Sequence, residues 1–295
     1  MHIKIMHIVI FWELLGIMYE VKKVINNNIV SSIDSNGNEV ILRGLGIGFQ
    51  KKPKDLIEED KVEKIYANLN KNMLGMFQSL LQEIPSEYEE VCSDIIDNIK
   101  NKLDVKVNDN IYISLIDHIS FAIKRKHENL EYKNALLWEI KKFYPREYEL
   151  GVEAVSIIKD RLNEEFSLDE AGFIALHIVN AELGSKIDDT VTITEILHKI
   201  LQIVKYYYGI EFDEDSLHYE RFITHLKFFC NRVMSDAEYV VDDAELNQVI
   251  REKYKKDYKC AEKIRQFIKT EYNKDITEEE MTYLTIHFKR ISQGR

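Results

Sequence analysis

The feature that most constrains this chain is a duplication in its C-terminal part. "DHISFAIKR" and "THLKFFCNR" each hold a histidine, a phenylalanine three residues on and an arginine seven on: His118, Phe121 and Arg125, then His225, Phe228 and Arg232. Further along, "FSLDEAGFIALHI" aligns with "ITEEEMTYLTIHF". There Ser167 and Thr277 stand three residues before Glu170 and Glu280, the spacing of a capping box at a helix start. Phe173 and Tyr283 each precede a histidine, His177 and His287, by four residues. Tyr148 and Tyr258 each stand 29 residues before the same histidines, and the spacings His118–His177 and His225–His287 are 59 and 62. A repeat of this kind builds two copies of one folding unit. Helical periodicity, with only three prolines and eleven glycines in 295 residues, makes each copy an all-α bundle carrying two histidines.

Paired histidines in a helical bundle have few uses. Metal binding needs further ligands at i+3 or i+4, and these are poorly formed; Asp117 is adjacent to His118 and so faces another way. Acid–base catalysis needs a nucleophile or second carboxylate that recurs in both copies, and none does. Two readings stay open on the residues alone: partly buried structural histidines, or phosphoryl acceptors with Arg125 and Arg232 as cationic partners. His127, His198 and His218 have no duplicates and read as surface residues.

The N-terminal part is different in kind. Residues 19–54 carry six Lys or Arg against three acids, a net +3 on a chain of net charge −11. From Tyr19 the apolar period falls to about two, and "VKKVI", "IVSSI", "EVILRG" and "IGFQ" read as strands. Asn36-Gly37 falls where a hairpin needs positive φ. The expected unit is a four-stranded antiparallel sheet of about fifty residues, which buries too little surface to be stable alone and would gain from dimerisation. "DLIEEDKVEKIYANLNKN" reads as a linker into the helices. The head has no histidine, cysteine or close carboxylate pair, so its chemistry is recognition. Asparagines, Phe49 and lysines can serve as turn, core and solvated residues, or can meet bases and phosphates.

The run "KVINNNIVSSIDSNGNEVILRGLGIGFQKK" resembles the co-antiterminator RNA-binding domain of the BglG/SacY family of bacterial transcriptional antiterminators, in the order and spacing of its asparagines, glycines and Phe49-Gln50. The two helical copies resemble the phosphotransferase-system (PTS) regulation domains that follow it in that family. The resemblance implies a multidomain chain: a small all-β antiparallel RNA-binding domain over residues 18–73, then two duplicated all-α domains over 82–187 and 188–295. It implies RNA contacts from Lys23, Asn28, Arg43, Gly44 and Phe49, and phosphorylation at His118, His177, His225 and His287. Leu45 stands where the family usually has Lys or Arg, and Arg43 is expected to substitute. The implied function is a sugar-responsive antiterminator. It binds an RNA antiterminator hairpin as a homodimer, prevents terminator formation, and is controlled through histidine phosphorylation by the phosphocarrier HPr and the EIIB domain of a sugar-specific permease.

No catalytic residue, metal or cofactor is expected. The three scattered cysteines, Cys92, Cys230 and Cys260, show no zinc or disulfide spacing and indicate a reducing cytoplasm. "MHIKIMHIVIFWELLGI" is broken by Glu13 and is too short to span a membrane, so it is read as sequence upstream of a true start at Met18. A DNA-binding head is disfavoured by its strand pattern. A metal-dependent phosphohydrolase is disfavoured because the adjacent pair here is Asp117-His118, not the His-Asp order such sites use.

Overall fold

The computed structural model describes residues 18–34, 37–67, 71–105, 107–184, 187–214, 216–234 and 244–293. Asn36, the start-site question, His2 and His7 lie outside the described residues. Those described fall into two compact units: residues up to 133 with 152–170, and 134–151 with 171–295.

The first unit opens with a five-stranded antiparallel sheet: β1 Met18–Asn26, β2 Ile29–Ile33, β3 Glu39–Arg43, β4 Leu56–Glu58 and β5 Lys64–Tyr66, in the order β4-β1-β2-β3-β5. β2 is central. Val30 faces Leu42 and Ser32 faces Val40 across β3, while Val24 pairs with Val30 on β1. Two register shifts in β1, between Val21 and Lys23 and between Val24 and Asn26, bend that strand. Tyr19, Val21, Val30, Val40, Leu42, Ile47 and Ile57 form the core on one face.

Two expectations are corrected. "IGFQ" is not a strand: residues 45–50 form successive turns, with Gly46 at φ +68° and Gln50 at +56°, a backbone no strand adopts. The fourth and fifth strands come instead from the stretch read as a linker. At three residues each they are too short to show a period. They form because β1 and β3 offer open edges, pairing Tyr19 with Ile57 and Leu42 with Ile65.

Helices follow. In the first unit α1 is Lys71–Glu83, α2 Ser86–Lys102 and α3 Asn110–His127. α2 begins just after Pro85, with Glu87 and Glu89 in its first turn and Lys100 and Lys102 in its last, signs that suit the helix dipole. Its buried stripe Val91, Cys92, Ile95, Ile96 and Ile99 has the spacing of one helical face. α1 lies over the sheet face opposite the core: Gln78 donates to Glu39 at 2.9 Å, and the buried Ser31 hydroxyl donates to the same carboxylate at 2.5 Å. Tyr66 of β5 packs edge-on against Phe77 of α1 and Tyr112 of α3.

The remaining helices are α4 Leu137–Phe143, α5 Pro145–Leu162, α6 Leu168–Leu183, α7 Ile187–Tyr208, α8 Leu217–Met234, α9 Ala244–Lys253, α10 Lys255–Tyr272 and α11 Glu278–Gln293. α4, the start of α5 and α6 from Ala171 onward belong to the second unit. Its largest core cluster includes Ile193, Ile200, Leu226, Phe229, Ile264, Leu284 and Phe288, and a smaller one joins Ile140, Ala175 and Leu176. Asn273, at φ +53°, ends α10 in the left-handed conformation. All three cysteines are buried with free thiols. No described helix is long and apolar enough to cross a membrane.

Candidate functional site

The β1–β2 turn and the glycine run hold each other. Gly44 N–H donates to the Asn28 carbonyl (3.0 Å), Gly46 N–H to the Asn28 side-chain oxygen (2.9 Å) and Gly48 N–H to the Asn27 carbonyl (2.9 Å). Asn26 Oδ1 in turn accepts the Asn28 N–H at 2.9 Å. Gly44 and Gly48 are required by contact, Gly46 by its positive φ. A Cβ on Gly44 would lie 2.0 Å from the Lys61 carbonyl oxygen, and one on Gly48 would lie 2.2 Å from that of Asn26. This clamp projects apolar surface outward: Leu45 is 84% exposed and Phe49 59%. Large exposed apolar side chains on a rigid loop mark a contact surface. Asn28 and Phe49 are each bonded to Gly46, Lys23 is exposed on β1 opposite Ser31, and Gly44 is buried.

Arg43 points elsewhere. Its guanidinium meets Glu89 of α2 (2.7 Å), with Glu63 at 3.3 Å and Glu90 at 3.8 Å. The Tyr66 hydroxyl also donates to Glu89. Burial pushes the Glu89 carboxyl up, and Tyr66 and Arg43 pull it back. Beside this cluster, Lys64 bonds Ser93 and Asp97 of α2 at 2.7 and 2.8 Å. Arg43 and Lys64 thus tie the sheet to the first helical copy.

In that copy His118 lies on α3 with Nε2 2.6 Å from the buried Glu170 carboxylate. Arg125 Nη2 reaches the other Glu170 oxygen at 3.7 Å, and its guanidinium stacks over Phe121 and Tyr132. His177, one turn beyond Phe173 on α6, is half-buried in the second unit.

The second copy joins its histidines directly. The rings of His225 on α8 and His287 on α11 stack with centroids 4.1 Å apart. The Tyr283 hydroxyl is 2.8 Å from His225 Nδ1, and its ring lies 4.6 Å from that of His287. Arg232 Nε donates to Glu280 at 3.1 Å and lies over the Tyr283 ring. Burial, then the neighbouring His225 and Arg290, hold the His287 imidazole down at about 4. Burial, then Arg290, Arg221 and Arg232, also lower His225. Both shifts favour the neutral imidazole.

The capping boxes form only in part. Thr277 Oγ1 accepts the Glu280 N–H at 3.3 Å, but the Ser167 hydroxyl turns to Asp169 and its carbonyl accepts from Glu170. Both box glutamates instead reach across to the duplicated arginines, Arg125 and Arg232, and Glu170 also meets His118. His218, expected at the surface, is exposed there, and two arginines that the duplication does not mark lie beside His225 and His287. His218, Arg221 and Arg290 line, with His225 and His287, a cavity of about 290 Å³. Their signal was helical spacing, since Arg221 is four before His225 and Arg290 three after His287.

Comparison with known proteins gives three concordant results. The family model described as CAT RNA binding domain matches residues 19–74, and that described as PRD domain matches twice, at 93–181 and 198–291. The chain is 45% identical over 272 residues to "Transcription antiterminator LicT" of Bacillus subtilis, covering 92% of this chain and 98% of the relative. It is 38% identical to the "Beta-glucoside operon antiterminator" of Dickeya chrysanthemi, covering 92% and 96%. A solved structure, "Crystal structure of GlcT CAT-PRDI", superposes with a TM-score of 0.50 at 35% identity, covering 56% of this chain and 98% of that one.

Proposed function

The chain belongs to the family of transcription antiterminators that join a CAT RNA-binding domain to two PRD domains, and on that premise we propose how it works. It is an RNA-binding regulator under PTS control, not an enzyme. The head, residues 18–73, binds an antiterminator hairpin as a homodimer and so keeps the competing terminator from forming. Asn28 and Phe49 meet the RNA loop, and Lys23 meets phosphate. The two helical domains, 82–187 and 188–295, receive phosphoryl groups on His118 and His177, and on His225 and His287.

The sugar permease's EIIB domain phosphorylates the first domain when its sugar is absent and switches the protein off. HPr phosphorylates the second. The protein works in the cytoplasm, where nascent RNA and these carriers meet. The observation that carries this reading is the order along the chain: a head whose clamped loop exposes Phe49, followed by two copies of one histidine-bearing domain. The physical link is charge, since a phosphoryl group adds nearly two negative charges to an already acidic chain.

A gel-shift titration of the full chain against an antiterminator hairpin tests it, at two salt concentrations and beside a scrambled hairpin. Selective binding at both salts is the expected result. Equal binding to both hairpins, lost together as salt rises, would leave only nonspecific phosphate attraction.

A further inference from the structure

The two histidine sites are copies, yet their surroundings differ in charge. At the positions of Arg221 and Arg290 in the second copy, four before the first histidine and three after the second, the first copy has Ser114 and Asn180. His118 in the first copy meets a carboxylate, Glu170; His225 in the second meets a neutral hydroxyl, Tyr283. Phe173 stands at that tyrosine's position in the first copy. The second site also has an opening. Both arginines are exposed and share with the two histidines the wall of one cavity of about 290 Å³, several times the volume of a phosphate group.

We propose that Arg221 and Arg290, with His225 and His287, form a built oxyanion site that holds a tetrahedral phosphoryl dianion over the two imidazoles, and that the first copy has no equivalent. The proposal rests on reading the duplicated histidines as phosphorylation sites and assigns the groups that make one pair of them different. Guanidinium groups present paired N–H donors that match phosphate oxygens. Arg232 belongs to the wall behind: its Nε is engaged by Glu280, and its guanidinium lies over Tyr283. Behind burial, the larger cause, Arg290 lowers the basicity of both imidazoles and Arg221 that of His225, and a bound dianion would oppose the arginines' effect. The second domain is thereby built to accept and retain a phosphoryl group. In the first domain the same group would arrive beside the Glu170 carboxylate.

The test is a titration of the full chain with inorganic phosphate, followed by the imidazole C–H resonances of the four histidines. Phosphate is expected to shift His225 and His287 and to raise their pKa values, leaving His118 and His177 in place. Arg221→Gln with Arg290→Gln, both at exposed positions, should weaken that binding by roughly tenfold or more. Arg221→Lys with Arg290→Lys should recover part of it, which separates charge from mere shape. Phosphate affinity unchanged in the double glutamine variant, or four histidines shifting alike, would overturn the site. If phosphate binds as described but HPr transfers nothing to His225 or His287, the oxyanion site stands and the phosphorylation reading fails.

Discussion

Arg43 of β3 and Glu89 of α2 form a buried ion pair, Nε to carboxylate 2.7 Å, with Glu89 only 1% exposed. Removing one partner of such a pair strands a charge, whereas replacing both with apolar groups can be nearly neutral. Arg43→Ala is expected to lower the stability of the head by roughly 3 kcal/mol. Arg43→Met combined with Glu89→Leu should regain most of it. RNA affinity decides the role of Arg43. If the arginine fixes the sheet on α2, affinity returns in the double variant together with stability; if it touches RNA, affinity stays low in both. Chemical denaturation and a gel shift on the same preparations separate the cases.

Phe49 and Gly48 are adjacent, but stability should separate them. Phe49 is 59% exposed, so Phe49→Ala is expected to leave the melting temperature in place. It should lower hairpin affinity by about 1–3 kcal/mol, the usual worth of one base stacked on an aromatic ring. Gly48→Ala should lower the melting temperature and hairpin affinity together, because its Cβ would sit 2.2 Å from the Asn26 carbonyl oxygen and break the clamp that presents Phe49. An unaltered affinity for Phe49→Ala would remove that ring from the interface.

How far the sequence could be read depends on the range of the signal. β1, β2 and β3 announce themselves by alternation, and the helices by their period and their duplication. β4 and β5 do not, since their pairing is decided by edges far away in sequence. The glycine run looked extended because it contains Ile47 and Phe49; its turns follow from positive φ at Gly46 and Gln50. The ion pairs of Arg43 were not legible, because its carboxylate partners Glu89 and Glu90 lie some forty-five residues on. Glu170 and Glu280 looked like local caps, and only packing shows them reaching the arginines of another helix. The histidine positions were legible because duplication repeats them. The arginines beside His225 and His287 were not, because they occur in one copy alone.

The contact between His118 and Glu170 bears on how readily the first domain accepts phosphate. Nε2 lies 2.6 Å from the carboxylate, so a phosphoryl dianion arriving there meets a like charge at close range. Glu170→Gln is expected to speed phosphoryl incorporation at His118 by at least about fivefold, the equivalent of some 1 kcal/mol of repulsion removed, which is the size of such a repulsion in bulk water and so a lower bound at this buried carboxylate. Incorporation is followed with labelled phosphoenolpyruvate through the phosphotransfer chain, with His177→Ala as background. An unchanged rate would mean that the acceptor nitrogen is not the one beside Glu170.

Two groups in the second unit should give it opposing pH dependences. The Glu182 carboxyl is pushed up to about 7, first by burial and then by Glu147. In the folded state it therefore binds a proton that the unfolded chain has lost, between about pH 4.5 and 7. Its contribution is present below that window and is lost as pH rises through 7. His287, held down at about 4 against an ordinary 6.5, does the opposite: its contribution is present above 6.5 and is lost as pH falls toward 4. Each slope has a ceiling of about 1.4 kcal/mol per pH unit, and solvent screening of these partly exposed groups keeps it lower. The two nearly cancel between pH 5 and 6.5 in the natural protein. Glu182→Gln should uncover stability that rises with pH across that range, and His287→Gln stability that falls. Hydrogen exchange of core amides in α7 and α10, measured at pH 5, 5.75 and 6.5 with rates corrected for intrinsic exchange, reads both slopes from the unit concerned. Parallel slopes in the two variants would show that the groups do not titrate as their surroundings dictate.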